Sequence, residues 1–154
     1  MAKEAGNEQF KLKNYIKAIE LYTEAIEANP NDHTIFGNRS ASYHNLKRFD
    51  EALQDGQHAI DLSPDWSKGY QRKAMALHGA GKLEEAYEVY EKGLEIDPSN
   101  AQIRQGLEGL GRDMQAKMKA ASGGKKGGGG MGDMFGGPEA EAKLRANPRI
   151  AKYF

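Results

Sequence analysis

The stretch "KLEEAYEVYEKGLEIDPSNAQ", residues 82–102, has the same pattern as "NYIKAIELYTEAIEANPNDHT", residues 14–34. The two stretches are offset by 68 residues, which is twice 34. If the chain repeats, a third copy should lie midway, and "RFDEALQDGQHAIDLSPDWS", residues 48–67, is that copy. A fixed period of about 20–50 residues is typical of proteins built from stacked repeats.

The repeated positions carry prolines, small residues and apolar residues in phase. Within each copy the apolar residues are three and four apart, which predicts an amphipathic helix. A proline ends that helix, because the residue before a proline is pushed out of helical geometry. The sequence therefore predicts an all-α fold of helix–turn–helix units. The positions in phase are Pro30, Pro64 and Pro98; Ala18, Ala52 and Ala86; Tyr15, Phe49 and Leu83; Ile19, Leu53 and Tyr87; and Ala25, Ala59 and Gly93.

The predicted domain covers residues 1–121, with repeats at about 1–32, 33–66 and 67–100. Residues 101–121 predict one more helix, which would cover the apolar face that the last repeat leaves exposed. Its predicted apolar stripe is Ile103, Leu107, Leu110 and Met114. Side-chain oxygens that are predicted to cap the following helices belong to Asn31 or Asp32, Ser63, and Ser99 or Asn100.

The composition excludes several classes of protein. Apolar residues make up 38% of the chain, and 22 basic residues balance 22 acidic ones, so nothing global predicts binding to nucleic acid or to a membrane. The chain has no cysteine, so it has neither disulfides nor a thiolate metal site. It also has no run of 18 apolar residues and no apolar leader at its start. We expect a soluble protein of the cytoplasm.

The 34-residue helix–turn–helix unit resembles the tetratricopeptide repeat over residues 1–100. The resemblance implies a right-handed superhelix of three helix pairs, followed by a capping helix. It also implies that the first helix of each pair forms the concave wall.

One strip of that implied wall is rich in cations and amides. Positions 2, 5, 6 and 9 of the repeat lie on one face of the first helix. In the second and third units, counted from residues 33 and 67, they hold no acidic residue. Ammonium, guanidinium and amide groups without acids favour an anion, above all a carboxylate. Each residue taken singly could instead be an ordinary solvated side chain. The strip consists of Lys3, Asn7, Asn38, Lys68 and Arg72.

The segments "KEAGNEQF", "GNRSASY" and "SKGYQRKA" resemble the two-carboxylate clamp of chaperone-binding repeat domains. That resemblance implies a co-chaperone adaptor that binds the C-terminal Glu-Glu-Val-Asp tail of a cytosolic heat-shock chaperone. Asn7, Asn38 and Lys3 would hold the terminal main-chain carboxylate, and Lys68 and Arg72 would reach the aspartate side chain and the backbone. The first repeat domain of the Hsp organising co-chaperone family is similar, which implies a preference for the 70-kilodalton chaperone, with the 90-kilodalton chaperone also possible as a partner.

Neighbouring groove positions would then read the peptide upstream of the acidic tail. Phe10, Ala41 and His44 are the candidates for a small apolar pocket. Simple packing between repeats explains Phe10 equally well.

The C-terminal part of the sequence differs from the repeats. Residues 122–137 are half glycine and predict a flexible linker, since such a segment buries too little to offset its ordering entropy. Residues 138–154 resemble the incomplete start of the small helical aspartate-proline domain of the same family, so we expect a fragment of a longer protein. The apolar side chains of this end could also dock on a neighbouring molecule.

The sequence contains no pattern that predicts catalysis, a metal or a cofactor. His33, His44, His58 and His78 lack metal-ligand spacing, and Ser40 and Ser42 lack a His–Asp arrangement. Two alternatives to the chaperone adaptor remain open. One keeps the clamp in another host, such as a small glutamine-rich co-chaperone, an immunophilin or a phosphatase adaptor. The other is a general protein-interaction scaffold that binds an internal segment without reading a terminal carboxylate.

Overall fold

The computed structural model describes residues 2–123, with side chains up to residue 120. This part of the chain is all helix and turn, as predicted. The predicted linker, 122–137, and the predicted aspartate-proline segment, 138–154, lie outside the described residues apart from the linker's first two positions. The helices are α1 (Ala2–Lys11), α2 (Tyr15–Ala28), α3 (His33–Asn45), α4 (Phe49–Leu62), α5 (Ser67–Gly79), α6 (Leu83–Ile96) and α7 (Ala101–Gly123).

The three repeat prolines end the second helix of each pair, as predicted. The residue before each proline has left the helix, with φ between −135° and −145° and ψ between 77° and 89°. A proline ring disfavours helical geometry at the residue before it, which explains why the three helices end at equivalent positions of the repeat. These residues are Asn29, Ser63 and Asp97.

The turn inside each helix pair also repeats every 34 residues. Lys13, Lys47 and Gly81 have φ values of 63°, 63° and 86° and lie in the left-handed region. The backbone N–H of the next residue donates to a carbonyl five residues back at 2.9 Å in all three turns. This is the Schellman motif, which glycine forms without strain and lysine forms at some conformational cost.

Two of the predicted helix caps are confirmed and one is wrong. Asp32 caps α3 by accepting from the backbone N–H of Thr34, and Asn100 accepts from the backbone N–H of Ile103. Ser63 instead terminates α4, and α5 begins after Trp66 without a side-chain cap.

The chain divides into two compact units, Met1–Ile103 and Arg104–Phe154. In the first unit each helix contacts the next, and α1–α3 and α3–α5 contacts place the first helices of the pairs side by side. Ala18, Ala52 and Ala86 are fully buried, so these small residues permit close approach of the paired helices.

The predicted apolar stripe of α7 is buried, since Ile103, Leu107, Leu110 and Met114 are all at most 9% exposed. Its role as a cap, the domain boundaries and the hand of the superhelix stay predictions. None of the helices within residues 2–123 has the length and apolar character needed to span a membrane.

Candidate functional site

One face of α5 carries two cations that no acid among residues 2–120 neutralises. Lys68, Gln71, Arg72 and Met75 are spaced three and four apart and therefore share one face of the helix. Within residues 2–120 neither Lys68 nor Arg72 forms a salt bridge. The Arg72 Nε atom is buried without a hydrogen-bond partner, and Nη1 reaches only the sulfur of Met75 at 3.9 Å. A buried guanidinium without a counter-charge is costly, so this face is suited to an incoming anion.

The electrostatics of these two cations support the same interpretation. Burial lowers the pKa of Arg72 below its usual value, and a charge interaction with Tyr22 only partly offsets this. Burial, followed by repulsion from Arg72, lowers the pKa of Lys68. Both shifts mean that the charged forms are disfavoured in the empty site, and a bound carboxylate would relieve this penalty.

A pair of amides lies where α1 and α3 meet. The Asn7 Oδ1 atom accepts from the Tyr22 hydroxyl at 2.6 Å and from Asn38 Nδ2 at 3.1 Å. Because two donors occupy this oxygen, the amide of Asn7 is fixed in one orientation and its Nδ2 hydrogens remain available to donate elsewhere. The pair therefore presents N–H groups, which suit a carboxylate or a peptide carbonyl.

Tyr22 is a positioning residue that the sequence analysis missed. Its side chain is 1% exposed, and burial raises its pKa to about 12, with the charge of Arg72 opposing the shift. The hydroxyl therefore stays protonated and remains a donor to Asn7 at physiological pH. The signal that could have identified it is its predicted position on the apolar face of α2, since a tyrosine at a buried position needs a hydrogen-bond partner.

Arg72 links the two halves of the site. A Cβ atom added at Gly37 of α3 would lie 3.9 Å from Cγ of Arg72, so the backbone of α3 passes close to this side chain. The neighbouring Asn38 belongs to the amide pair, and Tyr22 interacts with both Asn7 and Arg72. Asn7, Asn38, Lys68 and Arg72 are thus brought together, although they are up to 65 positions apart in the sequence.

Lys3, the fifth predicted residue, has an acidic partner in its own chain. Its Nζ atom lies 3.1 Å from Oδ2 of Asp32, the residue that caps α3. Lys3 and Asn7 are four apart on α1 and share a face of that helix. Asp32 lies outside the strip positions, so the helical pattern of the strip does not predict this pair.

The three candidates for an apolar pocket lie in different surroundings. Phe10 packs against the core cluster around Tyr22 and meets Tyr15 edge-on at 5.4 Å between ring centroids. This contact fits the packing explanation. Ala41 is 2% exposed. His44 meets Phe49 edge-on at 5.5 Å, and burial, then the charges of Arg72 and His78, lower its pKa. His44 is therefore close enough to Arg72 to be affected by its charge.

Arg39 shows how a structural arginine of this chain differs from Arg72. Its Nε and Nη2 atoms donate to the two oxygens of Asp55 at 2.7 and 2.9 Å, and Nη1 donates to Thr23 at 3.1 Å. Asp55 is 5% exposed, so this ion pair is largely buried and well satisfied. Three of the five N–H groups of Arg39 are thus used within the protein and its charge is neutralised by Asp55, whereas Arg72 has no ionic partner among residues 2–120.

Fold and site together define a class of protein: an all-α repeat protein with 34-residue helix pairs and a cluster of unneutralised cations and amides on its first helices. Tetratricopeptide-repeat models match residues 3–32, 21–54 and 67–100. The chain belongs to the tetratricopeptide-repeat family.

Curated relatives include heat shock protein STI1 of Saccharomyces cerevisiae, which is 40% identical over 97% of this chain and 25% of its own length. The Hsp70-Hsp90 organizing protein of Triticum aestivum is 36% identical over 99% of this chain and 26% of its own length. The chain therefore spans about a quarter of the length of these relatives.

Solved structures agree with the fold. The first tetratricopeptide domain of Spaghetti (RPAP3), bound to the HSP90 peptide SRMEEVD, is 34% identical with a TM-score of 0.68; the match covers 74% of this chain and 90% of that one. The second such domain of human RPAP3, in complex with the HSP70 peptide SGPTIEEVD, is also 34% identical, with a TM-score of 0.67; the match covers 71% of this chain and 91% of that one.

Proposed function

We propose that this chain is a co-chaperone adaptor module that binds the acidic C-terminal tail of a heat-shock chaperone and holds its free carboxylate in a two-carboxylate clamp. The observation that carries the proposal is the unneutralised pair Lys68 and Arg72 beside the donor amides of Asn7 and Asn38. The described residues supply no anion to these two cations, which supports the proposal that a ligand carboxylate does so.

The clamp assigns a separate role to each half of the site. Asn7 and Asn38 donate N–H groups, and together with Lys3 they would hold the terminal main-chain carboxylate. Lys68 and Arg72 would bind the side chain of the terminal aspartate and the nearby backbone. Charge-assisted hydrogen bonds of this kind are about twice as strong as neutral ones, so recognition concentrates on the last residue of the ligand.

The titles of the two similar structures support the class of partner. The peptides SRMEEVD and SGPTIEEVD share the last four residues and differ before them, where one has methionine and the other isoleucine. The 70-kilodalton chaperone is the proposed preferred partner, with the 90-kilodalton chaperone as a second one. His44 is the residue proposed to contact this variable apolar position, because Ala41 is only 2% exposed.

The module acts by binding alone, without catalysis, cofactor, nucleic acid or membrane, and its proposed location is the cytoplasm. The absence of cysteine fits a binding module that needs no thiol chemistry.

The first prediction concerns the terminal carboxylate. The peptide SGPTIEEVD as a free acid should bind at least about tenfold more tightly than its C-terminally amidated form, because amidation removes one charge and its charge-assisted hydrogen bonds. Isothermal titration calorimetry of both peptides measures the difference. Added salt should weaken the affinity for the free acid more than the affinity for the amide. Equal affinity would instead identify a scaffold that binds an internal segment.

The second prediction tests the tyrosine that orients Asn7. Tyr22→Phe should weaken the affinity for the free-acid peptide by about two- to tenfold, because Asn7 loses the shorter of its two hydrogen-bond donors. This range corresponds to the free energy of one ordinary hydrogen bond. Tyr90 is the matched control, because it occupies the equivalent position two repeats later and is equally buried. Tyr90→Phe should leave the affinity unchanged in the same calorimetric assay. A loss of the same size in both variants would show that the effect is structural.

A further inference from the structure

Lys3 is the only one of the five clamp residues that forms a salt bridge within residues 2–120. The bond to Asp32 is 3.1 Å long, and the two side chains are 34% and 28% exposed. A pair this exposed is worth little and exchanges readily with solvent ions. Lys3 is therefore paired in the free protein, but the pair is weak enough for a ligand to replace it.

Asp32 is itself held in place by a different set of bonds. Its Oδ1 atom accepts from the backbone N–H of Thr34 at 3.0 Å and from the Thr34 hydroxyl at 2.6 Å, which fixes the carboxylate at the start of α3. Only Oδ2 reaches Lys3. The carboxylate is thus anchored through one oxygen and offers the other to the ammonium group, much as a ligand carboxylate would.

We propose that Asp32 is an internal competitor that occupies Lys3 in the empty groove and must release it when a peptide carboxylate binds. The inference rests on the proposed function and adds a residue that sets the affinity and the selectivity of the clamp. The binding free energy that a ligand gains at Lys3 is only a difference. It is the interaction of Lys3 with the ligand carboxylate less the interaction of Lys3 with Asp32. Peptides that present a well-placed carboxylate displace Asp32, and neutral or poorly placed ends do not.

The acidity of Asp32 agrees with this arrangement. Burial alone would raise its pKa, but hydrogen bonds from Thr34 and Lys3 outweigh burial and lower the pKa below its usual value. The residue is ionised at neutral pH and so competes as a full charge. Loss of Lys3 to a ligand should raise the pKa again, because one of the stabilising donors leaves.

Asp32→Asn tests the proposal with little change in shape. Asparagine keeps Oδ1 for the cap of α3 and is an equally good capping residue, but its Nδ2 cannot accept from Lys3. The variant should bind free-acid SGPTIEEVD about two- to fivefold more tightly than the wild type, as expected for removal of one exposed ion pair. Glu51→Gln is the control for net charge, since it breaks the exposed Arg48–Glu51 pair of α4. It should leave the affinity unchanged.

A Lys3→Ala background separates competition from general repulsion between Asp32 and the peptide. If Asp32 acts through Lys3, Asp32→Asn should have no effect there; an undiminished gain would overturn the proposal. An equal or weaker affinity of Asp32→Asn alone would also overturn it, and a weaker affinity would show that Asp32 positions Lys3.

Titration of Asp32 by carbon NMR gives a second measurement. Its pKa should rise when the peptide saturates the wild type, and an unchanged pKa would mean that Lys3 keeps its partner. Failure of the wild type to bind the free-acid peptide would overturn the proposed function and this inference with it. Binding by the wild type without a gain in Asp32→Asn would overturn only the inference.

Discussion

Arg72→Met is expected to weaken binding of the free-acid SGPTIEEVD peptide by about 30-fold or more while leaving the protein as stable as before. Removing one partner of a buried, hydrogen-bonded charge pair costs about 2–5 kcal/mol of binding free energy. In the free protein, however, Arg72 has no ionic partner among the described residues and its Nε atom is unsatisfied. Methionine keeps most of the volume and removes the buried charge, so the thermal midpoint should stay unchanged or rise.

Calorimetry and thermal unfolding of the same preparation measure both halves of this result. Arg72→Lys is the informative companion, because it restores the charge without the fork of guanidinium donors and should recover only part of the affinity. A midpoint that falls by several degrees in Arg72→Met would show that the arginine is structural, and the clamp proposal would lose its main support.

Arg39→Met is expected to have the opposite outcome, a large loss of stability. Arg39 and Asp55 form a two-pronged ion pair between α3 and α4, and Thr23 of α2 joins it. Removal of the arginine leaves the carboxylate of Asp55 buried and unpaired, at 5% exposure. The free energy of unfolding should fall by about 3–5 kcal/mol. The thermal midpoint should therefore drop by about 10 °C or more.

Urea unfolding followed by circular dichroism measures this loss. The double variant in which Asp55→Asn is added should recover part of the stability, since no charge is then left unpaired. Arg48→Met supplies the matched control, because Arg48 pairs with Glu51 on the exposed surface. Its removal should leave the unfolding curve within experimental error of the wild type. A small effect of Arg39→Met, similar to that of Arg48→Met, would contradict the prediction.

The repeat pattern was sufficient to predict the fold. Apolar spacing and prolines act on the backbone within a few residues of their own position, and the period shows that the same local pattern recurs. The ends of α2, α4 and α6 follow from this, and so does the burial of Ala18, Ala52 and Ala86. The cap at Ser63 failed because every turn between helix pairs has four residues, so the capping position is the last residue of the turn, which is Asp32, Trp66 and Asn100, and not the first.

The sequence alone also determined which residues share one face of the first helices, because helical spacing and a 34-residue period fix those positions. It did not determine which of their charges are available to a ligand. Arg39 and Arg72 are both arginines on first helices, yet one is neutralised by Asp55 and the other is not. Likewise Tyr22 orients Asn7 from 15 positions away, and Asp32 reaches Lys3 from 29. These pairings were decided by the tertiary structure, since the energy of a charge depends on the atoms within a few ångströms of it and on its burial.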